Sequence, residues 1–116
     1  MSTDSILKQK SMDFAKRIVH LYKYLGSEHH EYVMSKQVLR SGTSIGANIA
    51  EAIYGSSRKD FVAKLQIAQK EAAETLYWLE LLNSSDYLPD KLYLSLSGDC
   101  KEILAILAAT IKSYLE

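Results

Sequence analysis

Apolar side chains recur at three- and four-residue steps along most of the chain, and no stretch alternates with a step of two. That spacing marks amphipathic helices and argues against half-buried strands. In the first segment Leu7, Ser11, Phe14, Ile18, Leu21, Tyr22 and Leu25 fall on one face. Ser5 or Asp4 suits its start and Gly26 its left-handed stop, so residues 27–30 read as the first connection. A second helix, from about residue 31 to 54, turns Met34, Val38, Ser41, Ile45, Ile49 and Ala52 inward and ends at Gly55. Ser56 or Ser57 can cap the third, with Asp60 in its first turn, where the helix dipole favours a negative charge.

The third helix, over about 57–82, has the cleanest pattern: Phe61, Leu65, Ala68, Ala72, Thr75, Leu79 and Leu82 follow a heptad-like spacing until Asn83–Asp86 break it. The fourth begins near Pro89, which a first turn tolerates, and runs over about 89–115. Its inward face is Leu92, Leu96, Cys100, Ile103, Leu107, Thr110 and Tyr114, and Ser97 with Gly98 is its weak point. The four helices, about 5–25, 31–54, 57–82 and 89–115, have short connections. The solution is an all-α fold, an antiparallel up-down-up-down four-helix bundle, as a single domain over 1–116.

Two surfaces are not accounted for by one bundle core. On the third helix Ala63, Ile67, Tyr77, Trp78 and Leu81 form a second apolar edge, so more than half the circumference is apolar. A helix apolar nearly all round is usually covered on both sides. Ile67, Tyr77, Trp78 and Leu81, with Glu71 and Glu74 beside them, are therefore the candidate subunit interface; the alternative is a wide core contact with scattered exposed apolar residues. On the second helix Gln37, Arg40, Ser44, Asn48 and Glu51 line up as a polar stripe. It reads as a solvated face, an inter-helix hydrogen-bond network, or a ligand site. If the second and third helices meet across a subunit boundary, Arg40 pairs with Glu71 or Glu74. Gly42, Gly46 and Ala50 make a ridge of small residues, although each helix-interior glycine costs roughly 1 kcal/mol relative to alanine. The ridge points to close helix–helix packing.

Composition narrows the function classes. Lys plus Arg equals Asp plus Glu at 14 each, so the formal net charge is zero. That argues against a strongly basic nucleic-acid binder. The first half, residues 1–58, nevertheless holds eight basic and five acidic groups. Lys8, Lys10, Lys16, Arg17, Lys23 and Arg40 are its candidate nucleic-acid contacts. Cys100 is the one cysteine, with no partner for an intramolecular disulfide or a Cys-based zinc site. No signal-peptide core and no apolar run near the roughly 18 residues of a membrane span is present, so a soluble, cytoplasmic protein is expected.

Familiar chemistry is missing. Di-iron bundles need inward Glu residues and Glu-x-x-His motifs, and none of His20, His29 and His30 supplies one on a core face. His29 and His30, between Glu28 and Glu31, read as a solvated loop cluster. There is no nucleophile elbow and no phosphate-binding loop. No catalytic residue, cofactor site or metal site is predicted, and the chain is expected not to be an enzyme.

The string LRSGTSIGANIAEA, followed by Gly55, Ser57, Asp60-Phe61 and then KLQIAQKEAAETLYWLELL, resembles the four-helix-bundle family encoded by intervening sequences in bacterial 23S rRNA genes. Lys10-Ser11 and the stretch from Phe14 to Leu25 match its first helix, and the likeness covers about residues 8–90. Many members have glycine where this chain has Ala52. The resemblance implies an antiparallel four-helix bundle and a homopentameric ring. It extends in fold to the accessory protein of diversity-generating retroelements, which binds nucleic acid and a reverse transcriptase through a basic surface; the present chain is neutral. The expected function is a non-enzymatic homo-oligomeric scaffold or adaptor, partnered by copies of itself and by no membrane. The alternative is an RNA- or DNA-binding module.

Overall fold

The computed structural model describes residues 2–116; Met1 lies outside the described residues. Four helices follow one another: α1 (Thr3–His29), α2 (Met34–Ile53), α3 (Arg58–Ser84) and α4 (Asp90–Leu115). Each packs its backbone closely against two neighbours, α1–α2, α2–α3, α3–α4 and α1–α4, and among the described residues the diagonal pairs make no such close backbone approach. All four seams are antiparallel. Gly46 lies by Ser11 while Gly42 lies by Ile18. Arg40 meets Glu74 while Glu51 meets Lys64. Cys100 lies by Ala72 while Tyr114 stacks on Phe61. Lys10 meets Glu102 while Arg17 meets Asp99. The result is an up-down-up-down bundle of 44 × 22 × 21 Å, with α1–α4 its thinnest seam.

The inward faces follow the three- and four-residue steps. All seven α3 positions expected inside are buried, as are Leu7, Phe14, Ile18, Leu21 and Leu25 of α1. Tyr22, Met34 and Leu92 are only half-buried. Tyr114 is exposed instead of inward: it closes the bundle end against Phe61, at 4.8 Å between ring centroids, under the Arg58 guanidinium. Val62, Ser97 and Ile111 join the core beyond the expected set.

The helix ends differ from expectation in places. Helix α1 passes through Gly26 and stops at His30, which takes the left-handed conformation (φ 53°) and donates its N–H to Gly26 O. Gly26 serves a different purpose. Tyr32 folds back so that its ring stands 3.3 Å from where a Gly26 Cβ would be, and its hydroxyl donates to Gly26 O. At the start of α1 the cap is Ser2, which accepts from Ser5 N, and Asp4 sits in the first turn. Ser57 caps α3, accepting from Asp60 N. Helix α3 runs on to Ser84, where Asn83 donates to Leu88 O and to Asp90 Oδ1, tying α3 to the start of α4. Helix α4 continues unbroken past Ser97 and Gly98.

Helix α2 begins at Met34, later than expected, because Glu31 acts as its cap. The Glu31 carboxylate accepts from the backbone N–H of Val33, Met34 and Ser35, and Ser35 Oγ donates to Glu31 O. These are orphan donors of a helix N-terminus, where a negative charge also suits the dipole. Glu31 is buried. Burial works to raise its pKa, and the N–H donors of Ser35, Met34 and Val33 outweigh that, so the carboxyl sits below its ordinary value.

Candidate functional site

The polar stripe of α2 and the second edge of α3 lie on one side of the bundle, along the α2–α3 seam. Arg40 stands between two carboxylates, Glu71 at 3.2 Å and Glu74. Glu74 also accepts from the Trp78 indole N–H at 3.0 Å. The Trp78 donor and then the Arg40 guanidinium hold the Glu74 carboxyl below its ordinary pKa; Glu74 chiefly, with Glu71, raises that of Arg40. The expectation that Arg40 reaches these carboxylates across a subunit boundary is corrected. The pairing is within one chain, because α2 and α3 form a hairpin about Tyr54–Ser57 and its register sets residue 40 opposite 71–74.

The rest of the stripe spends its hydrogen bonds locally. Ser44 Oγ donates to Arg40 O and Asn48 Nδ2 to Ser44 O, at 2.6 and 2.9 Å. Glu51 pairs with Lys64 at 3.5 Å. Gln37 is exposed. Deeper in the same seam Thr75 Oγ1 donates to Ser41 Oγ, so a buried hydroxyl pair bridges α2 and α3.

On the α3 edge the four apolar candidates divide. Ile67 and Tyr77 stay 41% and 58% exposed, whereas Trp78 and Leu81 are half-buried. Trp78 is pinned by Glu74 on one side and by the edge of the Tyr77 ring, 5.1 Å between centroids, on the other.

The six candidate nucleic-acid cations do not form one patch. Lys10 and Arg17 face α4, paired with Glu102 and Asp99, and Arg40 is on the far seam. Lys8, Lys16 and Lys23 remain, exposed along the outer side of α1.

Sequence reading missed one cluster. His29 is not in a solvated loop: it ends α1 half-buried, hydrogen-bonded to Tyr24 Oη at 3.1 Å and set edge-on to Tyr24 and Tyr87. These residues line a cleft of about 320 Å³ with Asn83, Asp86 and Asp90. The signal was the i, i+5 pair Tyr24 and His29, visible only once α1 is extended past Gly26. Cys100 is buried, its thiol pushed up to about 12, first by burial and then by the Asp99 charge. Among the described residues no group of three His, Cys, Asp or Glu is placed to hold a metal ion, and no helix is long and apolar enough to cross a membrane.

Comparison with known proteins places this architecture. A crystal structure of a protein of unknown function from the S23 ribosomal protein family of Bacteroides thetaiotaomicron VPI-5482 superposes with a TM-score of 0.94 at 55% sequence identity, covering 96% of this chain and 99% of that one. No curated protein matches. The family model for the 23S rRNA-intervening sequence protein matches residues 3–109, from the start of α1 through α2 and α3 and into α4. With the bundle and its hairpin registers described, the match gives a plain result: the chain belongs to the 23S rRNA-intervening sequence protein family.

Proposed function

We propose that the chain is a non-enzymatic scaffold or adaptor that works as a homo-oligomer, with the ring of five that the family resemblance implies as the expected form. The observation that carries this is the α3 edge: after the bundle has closed its own core, Ile67 and Tyr77 still face solvent, beside the half-buried Trp78 and Leu81. Clustered apolar side chains left on a surface favour association, and aromatic residues are enriched where such surfaces meet. The stripe beside them supports the same reading. Of its five residues Arg40, Ser44, Asn48 and Glu51 have partners within the chain, which lowers the cost of covering them.

Nucleic-acid contact is less favoured, since three of its six candidate cations are neutralised by carboxylates of the same chain. Light scattering on the purified chain tests the proposal. A mass several times 13.1 kDa is expected at micromolar concentration, and a mass of one protomer overturns it.

A further inference from the structure

The cleft beside His29 lies at the end of the bundle, where α1 and α3 stop and α4 starts, and holds about 320 Å³. Its walls are aromatic and acidic. His29 stands edge-on to Tyr24 and to Tyr87, at 5.3 and 5.5 Å between ring centroids. The carboxylates of Asp86 and Asp90 join these rings in the lining.

The turn that carries both carboxylates is fixed by its own hydrogen bonds. The N–H of Ser85 donates to Leu81 O, that of Asp86 to Asn83 O, and those of Tyr87 and Leu88 both to Leu82 O. Asn83 Nδ2 donates to Leu88 O and to Asp90 Oδ1, each at 2.8 Å. The cleft is therefore formed before a ligand arrives, which spares binding the cost of ordering a loop.

Charge decides what it can take. Asp86 and Asp90 form no ion pair among the described residues. The C-termini of α1 and α3 add partial negative charge at this end, and Asp90, in the first turn of α4, offsets the positive start of that helix. Lys23, Glu28 and Lys91 are exposed nearby in sequence, and none of them lines the cleft. The lining thus carries two carboxylates and no Lys or Arg. Aromatic rings attract a cation through their quadrupole and cover the apolar stem behind it. A bare metal ion is a poor match: it needs several converging ligands, and among the described residues no three His, Cys, Asp or Glu are placed to hold one.

We propose that this cleft binds the head of an organic cation, a protonated amine or a guanidinium. Asp86 and Asp90 accept its N–H donors, and Tyr24, His29 and Tyr87 flank its stem. A free small molecule and a lysine or arginine side chain of another protein share this chemistry. The site requires no self-association.

Calorimetric titration of the intact chain with butylammonium and butylguanidinium chloride tests it, with n-butanol and sodium chloride as uncharged and inorganic controls. At low salt at least one of the two cations is expected to saturate with a Kd on the order of millimolar, the range open to a ligand of few atoms, and neither control to bind. The amide NMR signals of Asp86, Tyr87 and Asp90 are expected to shift most; these are read on wild type and do not depend on any variant folding. Asp86→Asn and Asp90→Asn remove charge and keep shape. Asparagine accepts the left-handed φ of 66° at position 86, and at position 90 its oxygen still accepts from Asn83. Each is expected to weaken binding roughly fivefold, and the two together to abolish it. Asp13→Asn changes the net charge equally, beside Lys10 and Asp99 on the α1–α4 seam, and is expected to bind as wild type does. A blocked tripeptide with a central lysine or arginine separates the two sources: tighter binding than the free cation supports a protein side chain as the occupant, and equal or weaker binding supports a small molecule. No saturation with either cation, shifts centred elsewhere, unchanged binding in both cleft variants, or an equal loss in Asp13→Asn overturns the proposal.

Discussion

The Cβ that Gly42 lacks would stand 2.8 Å from Cγ1 of Ile18. Helices α1 and α2 approach so closely there that a hydrogen atom is all the space permits. Gly46, one turn further, is different: its missing Cβ would be 3.4 Å from Ser11 Oγ, an ordinary contact. Two glycines with the same helical setting thus have different reasons to exist.

Alanine at each should separate them. Gly42→Ala forces the helices apart, an overpacking cost of about 1–3 kcal/mol, against a helix-propensity gain of about 1 kcal/mol, so it destabilises. Gly46→Ala collects the gain with little clash and should be neutral to about 1 kcal/mol stabilising. Urea unfolding of the two variants checks the difference. Equal effects would show that the α1–α2 spacing is not set at Gly42.

Helix α4 offers two adjacent substitutions that should stabilise. Nothing lies within 4 Å of a Cβ built on Gly98, so Gly98→Ala should add about 1 kcal/mol. Ser97 Oγ is buried with no hydrogen-bond partner among the described residues. Removing an unsatisfied buried hydroxyl recovers its desolvation cost, about 1 kcal/mol, so Ser97→Ala should also raise the thermal midpoint. A loss of stability at either position contradicts this reading of α4.

Glu31 makes the fold sensitive to acid. Its carboxyl titrates near its ordinary 4.5 in the unfolded chain and lower in the folded one. A carboxyl depressed by folding contributes stability that is complete above the unfolded value and is lost as the pH falls through the folded value. Glu31→Gln should cost about 1–2 kcal/mol at neutral pH, as a lost helix cap does. The gap between variant and wild type should then shrink as the solution is acidified below about pH 4.5. Urea midpoints measured across that range check the sign; a gap that stays constant would contradict it.

Much of this fold is legible in the chain, for a physical reason. Burial demands a periodic face, and Phe61 to Leu82 on α3 keep that period without a break, so its seven expected inward positions are all buried, with Val62 beside them. The first connection was harder. Gly26 has the chemistry of a helix stop, yet the stop falls at His30, because the Tyr32 ring needs the space Gly26 leaves. That contact is tertiary and has no local signature. Glu31 was concealed similarly: a glutamate before a helix resembles a first-turn residue until its carboxylate is seen to cap three N–H groups. At the candidate site, spacing gave the stripe and the two carboxylates. It could not say that Arg40 meets them within one chain, since that depends on hairpin register. Nor did apolarity divide the α3 edge: Tyr77 and Trp78 are alike in that respect, but one step around the helix Trp78 packs against the core and donates to Glu74, while Tyr77 stays in solvent.

Sedimentation velocity over a dilution series, comparing wild type with Ile67→Lys, tests the central claim most directly. Self-association through the α3 edge predicts one discrete multimer for wild type, persisting at micromolar concentration, and a folded single protomer for the variant. A wild-type chain sedimenting as a single protomer throughout, or a variant that assembles as wild type does, would contradict it.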